Sequence, residues 1–237
     1  MKNFVSLFGC GLFLFLVGCC VGPVKSVQPP VLNHQRYRSE QIENVRRLKN
    51  LTVALTDLDS KNQLIRCSAM WIKQGFLLTA GHCINSQKLI TYETLDEDEG
   101  VHLAIVKAVD ETNDLALLIV DPASEPIHDN VILTDEIIES GEEVHIVGHT
   151  AGYGWTYSKG YVSAIRREMK GPLEAPVEKV VQISSPAWMG NSGGGAFDSG
   201  GHFIGICSWV STSGPFLTFF IHKDIISKFL AKEEVIY

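Results

Sequence analysis

Three short motifs follow one another along this 237-residue chain and restrict the folds that it can adopt. They are TAGHC at 79–83, DLALL at 114–118 and GNSGG at 190–194, and they supply His82, Asp114 and Ser192 in that order. A serine hydroxyl is a poor nucleophile at neutral pH, so it needs an imidazole to take its proton and a buried carboxylate to orient that imidazole. The same three groups occur on unrelated folds in different chain orders, so the order histidine, aspartate, serine narrows the choice of fold.

From Leu51 onward the chain consists of short runs rich in Val, Ile, Leu, Thr and aromatic residues, separated by Gly, Asp, Asn and Pro. Such runs predict β-strands joined by turns. They form two groups of six: 51–57, 62–73, 75–80, 88–93, 101–109 and 115–120, then 143–149, 155–165, 178–184, 195–199, 202–209 and 215–221. The segment from Asp121 to about Ser140 is predicted to connect the two groups, and 222–234 to form a terminal helix. With 45% hydrophobic residues, a chain of this length can bury a sizeable core, in one domain or two small ones.

The motifs and their order resemble those of the trypsin-like (chymotrypsin-fold) serine peptidases, and the resemblance covers roughly residues 50 to 230. In that family the histidine lies in TAxHC, the aspartate precedes a short apolar strand, and the serine lies in GxSGG. Residues 141–165 and 190–206 look most like the bacterial high-temperature-requirement (Deg-type) branch. The resemblance implies an all-β fold of two six-stranded antiparallel β-barrels with a C-terminal helix, and hydrolysis of polypeptides by a serine endopeptidase through an acyl-enzyme. Because the chain ends shortly after the second predicted barrel, we expect no PDZ domain of the kind that many Deg-type relatives carry.

The resemblance implies a role for each member of the triad and for the main chain beside the serine. His82 and Asp114 fall in the first predicted barrel and Ser192 in the second, so these catalytic residues would meet across the cleft between the barrels. The N–H groups of Gly190 and Ser192 are expected to form the oxyanion hole, which stabilises the tetrahedral intermediate. Asp110 lies four residues before Asp114 but sits in a polar turn, whereas Asp114 adjoins an apolar strand. Asp114 is therefore the candidate for the triad.

The residue before the nucleophile departs from the pattern of the digestive enzymes of this family. Those enzymes carry an aspartate there and use it to pair with a freshly cleaved N-terminus, whereas this chain has Asn191. A neutral amide makes no ion pair. We therefore expect no activation by insertion of a new N-terminus.

The cysteines of the predicted barrels have two different expected states. The family places a disulfide at the positions of Cys67 and Cys83, where it pins the histidine loop, and an exported protein meets the oxidising conditions in which such a bridge persists. Cys207 lies within an apolar run and is predicted to be a buried, inert thiol.

Spacing from the nucleophile predicts the substrate-binding pocket. Its floor is Pro186, where relatives that cleave after Lys or Arg carry an aspartate. Relatives that cleave after Glu place a histidine at the position that Cys207 occupies here. Val210 stands where a glycine would leave the pocket open, so its branched side chain should shorten the pocket. The other predicted substrate-binding residues are Ala187, Ser208 and Trp209. We expect cleavage after small or medium apolar residues, with the substrate backbone paired beside this segment as an added strand.

Residues 1–18 are typical of a processing segment and are predicted to be a signal peptide. Met1-Lys2-Asn3 is a short positive region, and 4–17 is an apolar stretch too short for a comfortable transmembrane helix. It ends in Leu16-Val17-Gly18-Cys19, which resembles the bacterial lipobox, in which the cysteine is diacylated and becomes the first mature residue. Lipidation of Cys19 implies an exported lipoprotein, tied to the bacterial cell envelope at the outer membrane or cell surface. A plain secretory signal cleaved slightly later, or an uncleaved anchor, stays open; without the lipid the protein would be periplasmic or secreted.

Residues 19–50 are predicted to be a tether that ends in a short helix. Pro29-Pro30 and polar neighbours favour the tether, and 39–50 favours a helix with Ser39 as its N-cap. A disordered spacer is the alternative. The N-terminal barrel is assigned to 51–135, and the second barrel with its helix to 136–237.

Charge and residue spacing argue against several other functions. The net charge of −7 gives no basic patch of the kind that nucleic-acid binding needs. The acidic run 96–99 is interpreted as a solvated loop rather than a calcium site. His145 and His149 lie four residues apart in one predicted strand, too far along it to share a metal easily. We expect no metal and no other cofactor, and the sequence indicates no oligomeric state.

Two other functions stay open on the sequence alone. A protease-fold lipoprotein could bind peptides or partner proteins without cleaving them, although this chain keeps every triad residue and oxyanion glycine that such proteins often lose. The same acyl-enzyme could also serve ester hydrolysis or acyl transfer.

Overall fold

The structure is a computed structural model. It describes residues 34–58, 64–84, 88–95, 100–121, 131–211 and 216–235. The predicted signal peptide, the lipidation candidate Cys19 and the acidic run 96–99 lie outside the described residues.

The first six strands form a closed antiparallel barrel. They are β1 (Thr52–Leu58), β2 (Leu64–Lys73), β3 (Phe76–Ala80), β4 (Leu89–Glu93), β5 (Val101–Asp110) and β6 (Leu115–Ile119). Around the barrel they run in the order β1, β2, β3, β6, β5, β4. Trp71 and Tyr92 meet edge to face in its core with their ring centroids 5.8 Å apart, and both side chains are fully buried.

The remaining six strands form a second closed antiparallel barrel. They are β7 (Glu143–Gly148), β8 (Thr156–Lys170), β9 (Pro176–Ser184), β10 (Gly195–Phe197), β11 (Phe203–Val210) and β12 (Leu217–His222). Their order around the barrel is β10, β11, β12, β9, β8, β7, and Phe197 packs edge to face on Phe203 inside it. The predicted fold, two six-stranded antiparallel barrels with a C-terminal helix, is confirmed.

Within the described residues two α-helices accompany the barrels, α1 (His34–Asn50) before the first and α2 (Lys223–Lys232) after the second. Helix α1 begins at His34 and not at the predicted N-cap Ser39, because the preceding residues include good helix formers and no glycine or proline. It buries Leu48 completely, while Arg47 Nη2 donates a hydrogen bond of 2.8 Å to the carbonyl of Gly201 in the second barrel. Neither helix has the length and apolar character that crossing a membrane requires.

Hydrogen bonds join the two barrels along a shared face. Trp155 lies directly before β8, and its Nε1 donates a hydrogen bond of 2.8 Å to the carbonyl of Thr52 in β1. The Ser68 amide of β2 donates to the carbonyl of Ser192 at 2.7 Å. The loop that carries the nucleophile candidate is therefore tied directly to the first barrel.

Candidate active site

The three predicted catalytic residues lie together in the cleft between the barrels. His82 lies in a 3₁₀ turn, Gly81–Cys83, directly after β3. Asp114 ends the turn before β6, and Ser192 lies in the loop between β9 and β10. His82 Nδ1 is 2.9 Å from Asp114 Oδ2, and His82 Nε2 is 3.0 Å from Ser192 Oγ. These distances connect carboxylate, imidazole and hydroxyl in one hydrogen-bonded chain.

The Asp114 carboxylate is held from several sides at once. It is 1% exposed, and it accepts a hydrogen bond of 2.8 Å from the main-chain N–H of His82 as well as one from the His82 ring. The Ser208 hydroxyl also donates to it. Its φ of 54° places it in the left-handed region, which aspartate tolerates better than most residues. The carboxylate is thereby fixed in position to orient the imidazole.

The competing residue Asp110 has a different task. Its Oδ1 accepts hydrogen bonds of 3.0 Å from the main-chain N–H groups of Thr112 and Asn113. This arrangement is an aspartate turn closing on its own backbone. Asp110 therefore shapes the turn that delivers Asp114.

Two main-chain amides of the nucleophile loop, those of Gly190 and Ser192, are set by hydrogen bonds to the neighbouring carbonyls. The Met189 carbonyl accepts a hydrogen bond of 2.8 Å from Ala151 N, and the Asn191 carbonyl accepts one of 2.8 Å from Gly194 N. In a trans peptide the N–H points opposite to the carbonyl, so the amides of Gly190 and Ser192 point away from these partners. Within the described residues neither amide donates to a protein acceptor. They form a pair of open donors, and the oxyanion hole expected at Gly190 and Ser192 stays a prediction.

Two glycines of the GNSGG motif are required by close backbone contacts. Gly190 has φ 95° and occupies the third position of a turn closed by the hydrogen bond from Asn191 N to Trp188 O, which is a type II arrangement. A Cβ on Gly190 would lie 2.2 Å from the His149 carbonyl oxygen. Gly193 has φ 83°, and a Cβ there would lie 1.9 Å from the carbonyl oxygen of Ser68. Larger residues at either position would displace the nucleophile loop.

The Asn191 side chain is buried beneath this loop. It is 1% exposed, and its Oδ1 accepts a hydrogen bond of 3.3 Å from Thr150 Oγ1. A Cβ on Gly148 would lie 2.1 Å from the same oxygen, so the glycine makes room for the amide. The position that holds an aspartate in the digestive enzymes is thus filled by a buried amide whose oxygen accepts from Thr150.

A disulfide joins Cys67 in β2 to Cys83 beside His82, with Cα atoms 6.1 Å apart. Potential ligand atoms of Cys67, His82 and Cys83 lie within 4.8 Å of one another. Both sulfur atoms are consumed by the disulfide, so this cluster offers no thiolate to a metal. Its role here is to fix the turn that carries the imidazole.

A cavity of about 290 Å³ opens beside the nucleophile loop. Its lining includes the predicted residues Pro186, Ala187 and Val210. The other lining residues are Thr150, Trp188, Ser211, Phe216, Leu217 and Thr218, and none of the nine carries a formal charge. Such a wall suits an apolar or small polar side chain and offers no partner to a charged one.

Two predicted pocket residues do not line this cavity. The Ser208 side chain is 1% exposed and donates to Asp114, and the Trp209 ring stacks on Phe219 with centroids 4.9 Å apart. Sequence analysis missed Thr218 and Phe216, which reach the cavity from β12 and the residue before it. Thr218 reaches the cavity because it pairs with Val210 in the sheet. That strand register was not evident from the sequence.

Comparison with known proteins places these residues in a family. Residues 67–206 match the trypsin-like peptidase domain family, and the match includes all three residues of the hydrogen-bonded chain. The protein belongs to this family.

Among curated proteins it is similar to "Protease Do-like 5, chloroplastic" of Arabidopsis thaliana, with 28% identity over 148 residues, covering 58% of this chain and 45% of that protein. It is also similar to "Probable periplasmic serine endoprotease DegP-like" of Pseudomonas fluorescens, with 31% identity over 144 residues, covering 60% of this chain and 29% of the relative. The chain thus spans less than half the length of these relatives.

Solved structures of proteases share the fold at lower sequence identity. A protease from M. tuberculosis in its active form superposes with a TM-score of 0.71 at 20% identity, over 80% of this chain and 83% of that one. The serine endoprotease from Yersinia pestis gives a TM-score of 0.66 at 22% identity, over 81% and 65% of the two chains. These likenesses agree with the trypsin-like architecture.

Three further side chains discussed from the sequence, those of Cys207, His145 and His149, are buried and packed within the second barrel. Cys207 is 1% exposed, and burial raises the pKa of its thiol to about 12, so almost no thiolate forms at neutral pH. His145 Nδ1 is 2.8 Å from the Tyr157 hydroxyl, and burial lowers the pKa of the imidazole. The His149 ring lies edge-on to Trp155 with centroids 4.4 Å apart.

Proposed function

We propose that this protein is a serine endopeptidase in which His82, Asp114 and Ser192 are the catalytic residues. The observation that carries the proposal is the continuous hydrogen-bonded chain, with His82 Nδ1 2.9 Å from Asp114 Oδ2 and His82 Nε2 3.0 Å from Ser192 Oγ. Polypeptides are the substrate class proposed for it, because the chain belongs to a peptidase family. The curated relatives are much longer, so their own substrates are not transferred.

The geometry supports a two-step acyl transfer. Ser192 Oγ attacks the scissile carbonyl while His82 Nε2 takes its proton, and the buried Asp114 carboxylate stabilises the resulting imidazolium. The substrate oxygen becomes an oxyanion that accepts hydrogen bonds from the open amides of Gly190 and Ser192. His82 then protonates the leaving amine, and the acyl-enzyme forms as the C–N bond breaks. Water, deprotonated by His82, hydrolyses the ester and regenerates the serine hydroxyl.

The cavity beside the nucleophile favours a small or medium apolar side chain on the acyl side of the cleaved bond. Val210 narrows a pocket of about 290 Å³ in which none of the described lining residues carries a charge. Burying a lysine, arginine or glutamate there would leave its charge without a partner, which costs several kcal/mol. We therefore propose that residues such as Ala and Val are preferred over charged ones.

Export to the bacterial cell envelope, with lipidation of Cys19, is the location that we propose. The support is the sequence of residues 1–19 and the name of the Pseudomonas fluorescens relative, which calls that protein periplasmic. Mass spectrometry of the membrane fraction would detect a diacylated N-terminal cysteine. A soluble mature protein that begins after Cys19 would instead indicate a plain secretory signal.

Labelling with a fluorophosphonate tests the catalytic proposal directly. We expect the folded wild-type protein to be labelled on Ser192, and the labelling to vanish in Ser192→Ala and His82→Ala. Asp114→Asn should reduce it by orders of magnitude, since asparagine tolerates the same backbone conformation but does not stabilise the imidazolium. Ser163→Ala, which changes an exposed serine on β8, is the matched control and should be labelled like the wild type.

The same assay separates the proposed function from its rivals. Folded, disulfide-bonded wild-type protein that takes no label would contradict the peptidase proposal and leave peptide binding without cleavage. A labelled protein that hydrolyses esters but none of the members of a peptide library would favour esterase or acyl-transfer chemistry.

A further inference from the structure

Ser68 is a fully buried serine of the first barrel that belongs to neither the triad nor the pocket. It lies in β2, directly after the disulfide residue Cys67. Its hydroxyl donates a hydrogen bond of 2.8 Å to the Gly190 carbonyl and accepts one of 2.9 Å from the His149 amide. Both partners belong to the second barrel, so one side chain reaches across the boundary between the barrels.

The main chain of Ser68 makes further contacts at the same place. Its amide donates to the Ser192 carbonyl at 2.7 Å, and its carbonyl accepts from Thr79 Oγ1 at 2.7 Å. Thr79 lies in β3, shortly before His82. Ser68 is therefore fixed within the first barrel by Thr79, while it contacts both residues whose amides form the open donor pair, Gly190 and Ser192.

The contact to Gly190 occupies a decisive place in the nucleophile loop. Three successive carbonyls are bonded there: that of Met189 by the Ala151 amide, that of Gly190 by Ser68 Oγ, and that of Asn191 by the Gly194 amide. The middle carbonyl alone is held by a side chain from the opposite barrel. The Gly190 carbonyl belongs to the peptide that lies between the two peptides containing the open amides. The φ and ψ angles of Gly190 and Asn191 therefore set the relative directions of these amides, and glycine is the more permissive of the two residues unless it is held. Releasing this carbonyl would allow the two donors to point in different directions.

A hydroxyl is suited to this position because it donates and accepts at the same time. Alanine would leave the Gly190 carbonyl and the His149 amide without their bonding partner. A larger side chain has little room, since a Cβ built on Gly148 would already lie 3.1 Å from Ser68 Oγ.

We propose that Ser68 is a positioning residue, which sets the oxyanion hole by bonding the Gly190 carbonyl across the boundary between the two barrels. The inference rests on the proposed peptidase function. Ser68 touches no reacting atom, so it acts through the directions of the Gly190 and Ser192 amides.

The test compares Ser68→Ala with a matched control, Thr52→Val. Thr52 is also fully buried in the first barrel, and its hydroxyl donates to the Leu48 carbonyl at 3.0 Å, outside the active site. Both variants delete one buried hydroxyl. Steady-state kinetics with a chromogenic peptide carrying Ala or Val before the cleaved bond gives kcat and KM over a range of pH.

We expect Ser68→Ala to lower kcat by about 10- to 100-fold while KM stays within about threefold, because oxyanion stabilisation acts in the transition state. The pH at which activity is half-maximal should not move, since the pair of His82 and Asp114 is untouched. Thr52→Val should keep kcat within about threefold of the wild type. Equal kcat values in the two variants, or a loss expressed as a changed pH midpoint, would overturn the proposal.

A second readout does not depend on activity. Backbone ¹⁵N order parameters of Gly190 and Asn191 should fall from the roughly 0.85 of rigid backbone toward about 0.6 in Ser68→Ala and stay unchanged in Thr52→Val. If the wild type takes no fluorophosphonate, the peptidase proposal fails while this measurement still decides whether Ser68 holds the loop. Unchanged order parameters in Ser68→Ala would refute that holding role.

Discussion

At the scale of single residues, the site depends on positions where a side chain is absent or very small. Gly190 and Gly193 combine positive φ with backbone contacts that a Cβ would occupy, and Gly148 leaves space for the Asn191 amide. Ser68 supplies the smallest side chain that carries a hydroxyl. The Gly193 contact with the Ser68 carbonyl lies between the two barrels, whereas the nearest contacts of Gly190 and Gly148 lie within the second barrel. The GNSGG motif thus allows close backbone approach on both sides of the nucleophile loop.

Val210 provides a prediction about substrate size. It ends β11 and lines the cavity of about 290 Å³, so shortening it should lengthen the pocket. We expect Val210→Ala and then Val210→Gly to raise kcat/KM for peptides with Leu or Phe before the cleaved bond relative to Ala, by on the order of 10-fold for the glycine variant. One methylene group more or less in a hydrophobic pocket changes the transition-state binding free energy of a substrate by about 1–3 kcal/mol.

Assays of the three proteins with peptide libraries measure this ratio. They are run well below the melting temperature, because a glycine at the strand end also lowers the stability of the protein. The graded series of Val, Ala and Gly is its own control. A ratio that does not change along the series would mean that Val210 does not limit the pocket.

At the scale of elements, the strands could be predicted and the contacts between them could not. All twelve strands fall on apolar runs that the sequence separates by turn residues, because half-buried barrel strands need that pattern. The sequence predicts the start of α1 at Ser39 instead of His34, because a polar helix end leaves no apolar pattern to follow. Phe216, Thr218 and Ser68 were missed because their roles come from strand register and from docking of the barrels. The meeting of His82, Asp114 and Ser192 could be predicted, since these residues lie in motifs that adjoin recognisable strands.

Helix α2 gives a prediction about pH at this scale. Its N-cap is His222, whose Nδ1 accepts a hydrogen bond of 3.1 Å from the Asp224 amide, which only a ring unprotonated at Nδ1 does. Burial lowers the pKa of His222 from 6.5 to about 4. The nearby Asp224 carboxylate raises this pKa, and the positive charges of Lys179, Lys223 and Arg167 lower it further. Because the folded pKa lies below the unfolded one, its contribution to stability is complete above pH 6.5 and is lost as the pH falls toward 4.

The variant His222→Asn keeps a capping side chain and removes this titration. Between pH 7 and pH 4.5, the free energy of unfolding of the wild type should fall by about 2 kcal/mol more than that of the variant. Urea denaturation at a series of pH values measures both curves. His145, whose pKa is also lowered by burial, titrates in both proteins and cancels in the difference. Parallel curves would show that the pKa of His222 does not differ between the folded and the unfolded protein.

At the scale of the whole molecule, the proposed chemistry exists only while both barrels stay docked. Asp114 and His82 come from the first barrel and Ser192 from the second, so neither barrel alone contains the hydrogen-bonded chain. Helix α1 adds a further link, because it precedes the first barrel while Arg47 bonds the Gly201 carbonyl of the second. We therefore expect the barrels to unfold as one cooperative unit.

Two neighbouring arginines of α1 test this expectation. Arg47→Ala removes the 2.8 Å hydrogen bond to the second barrel and should lower the free energy of unfolding by about 1 kcal/mol. Arg46→Ala is the control, since Arg46 pairs with Glu43 at 3.4 Å and both side chains are largely exposed, at 71% and 76%. The free energy of unfolding of this variant should stay within about 0.5 kcal/mol of the wild type. Far-UV circular dichroism and fluorophosphonate labelling are followed across the same urea titration. In Arg47→Ala both transitions should move together to lower urea, because a site built from two barrels is lost when either unfolds. Labelling that disappears before the dichroism changes would instead mean that the barrels separate while still folded, and that α1 holds them together more weakly than its contacts suggest.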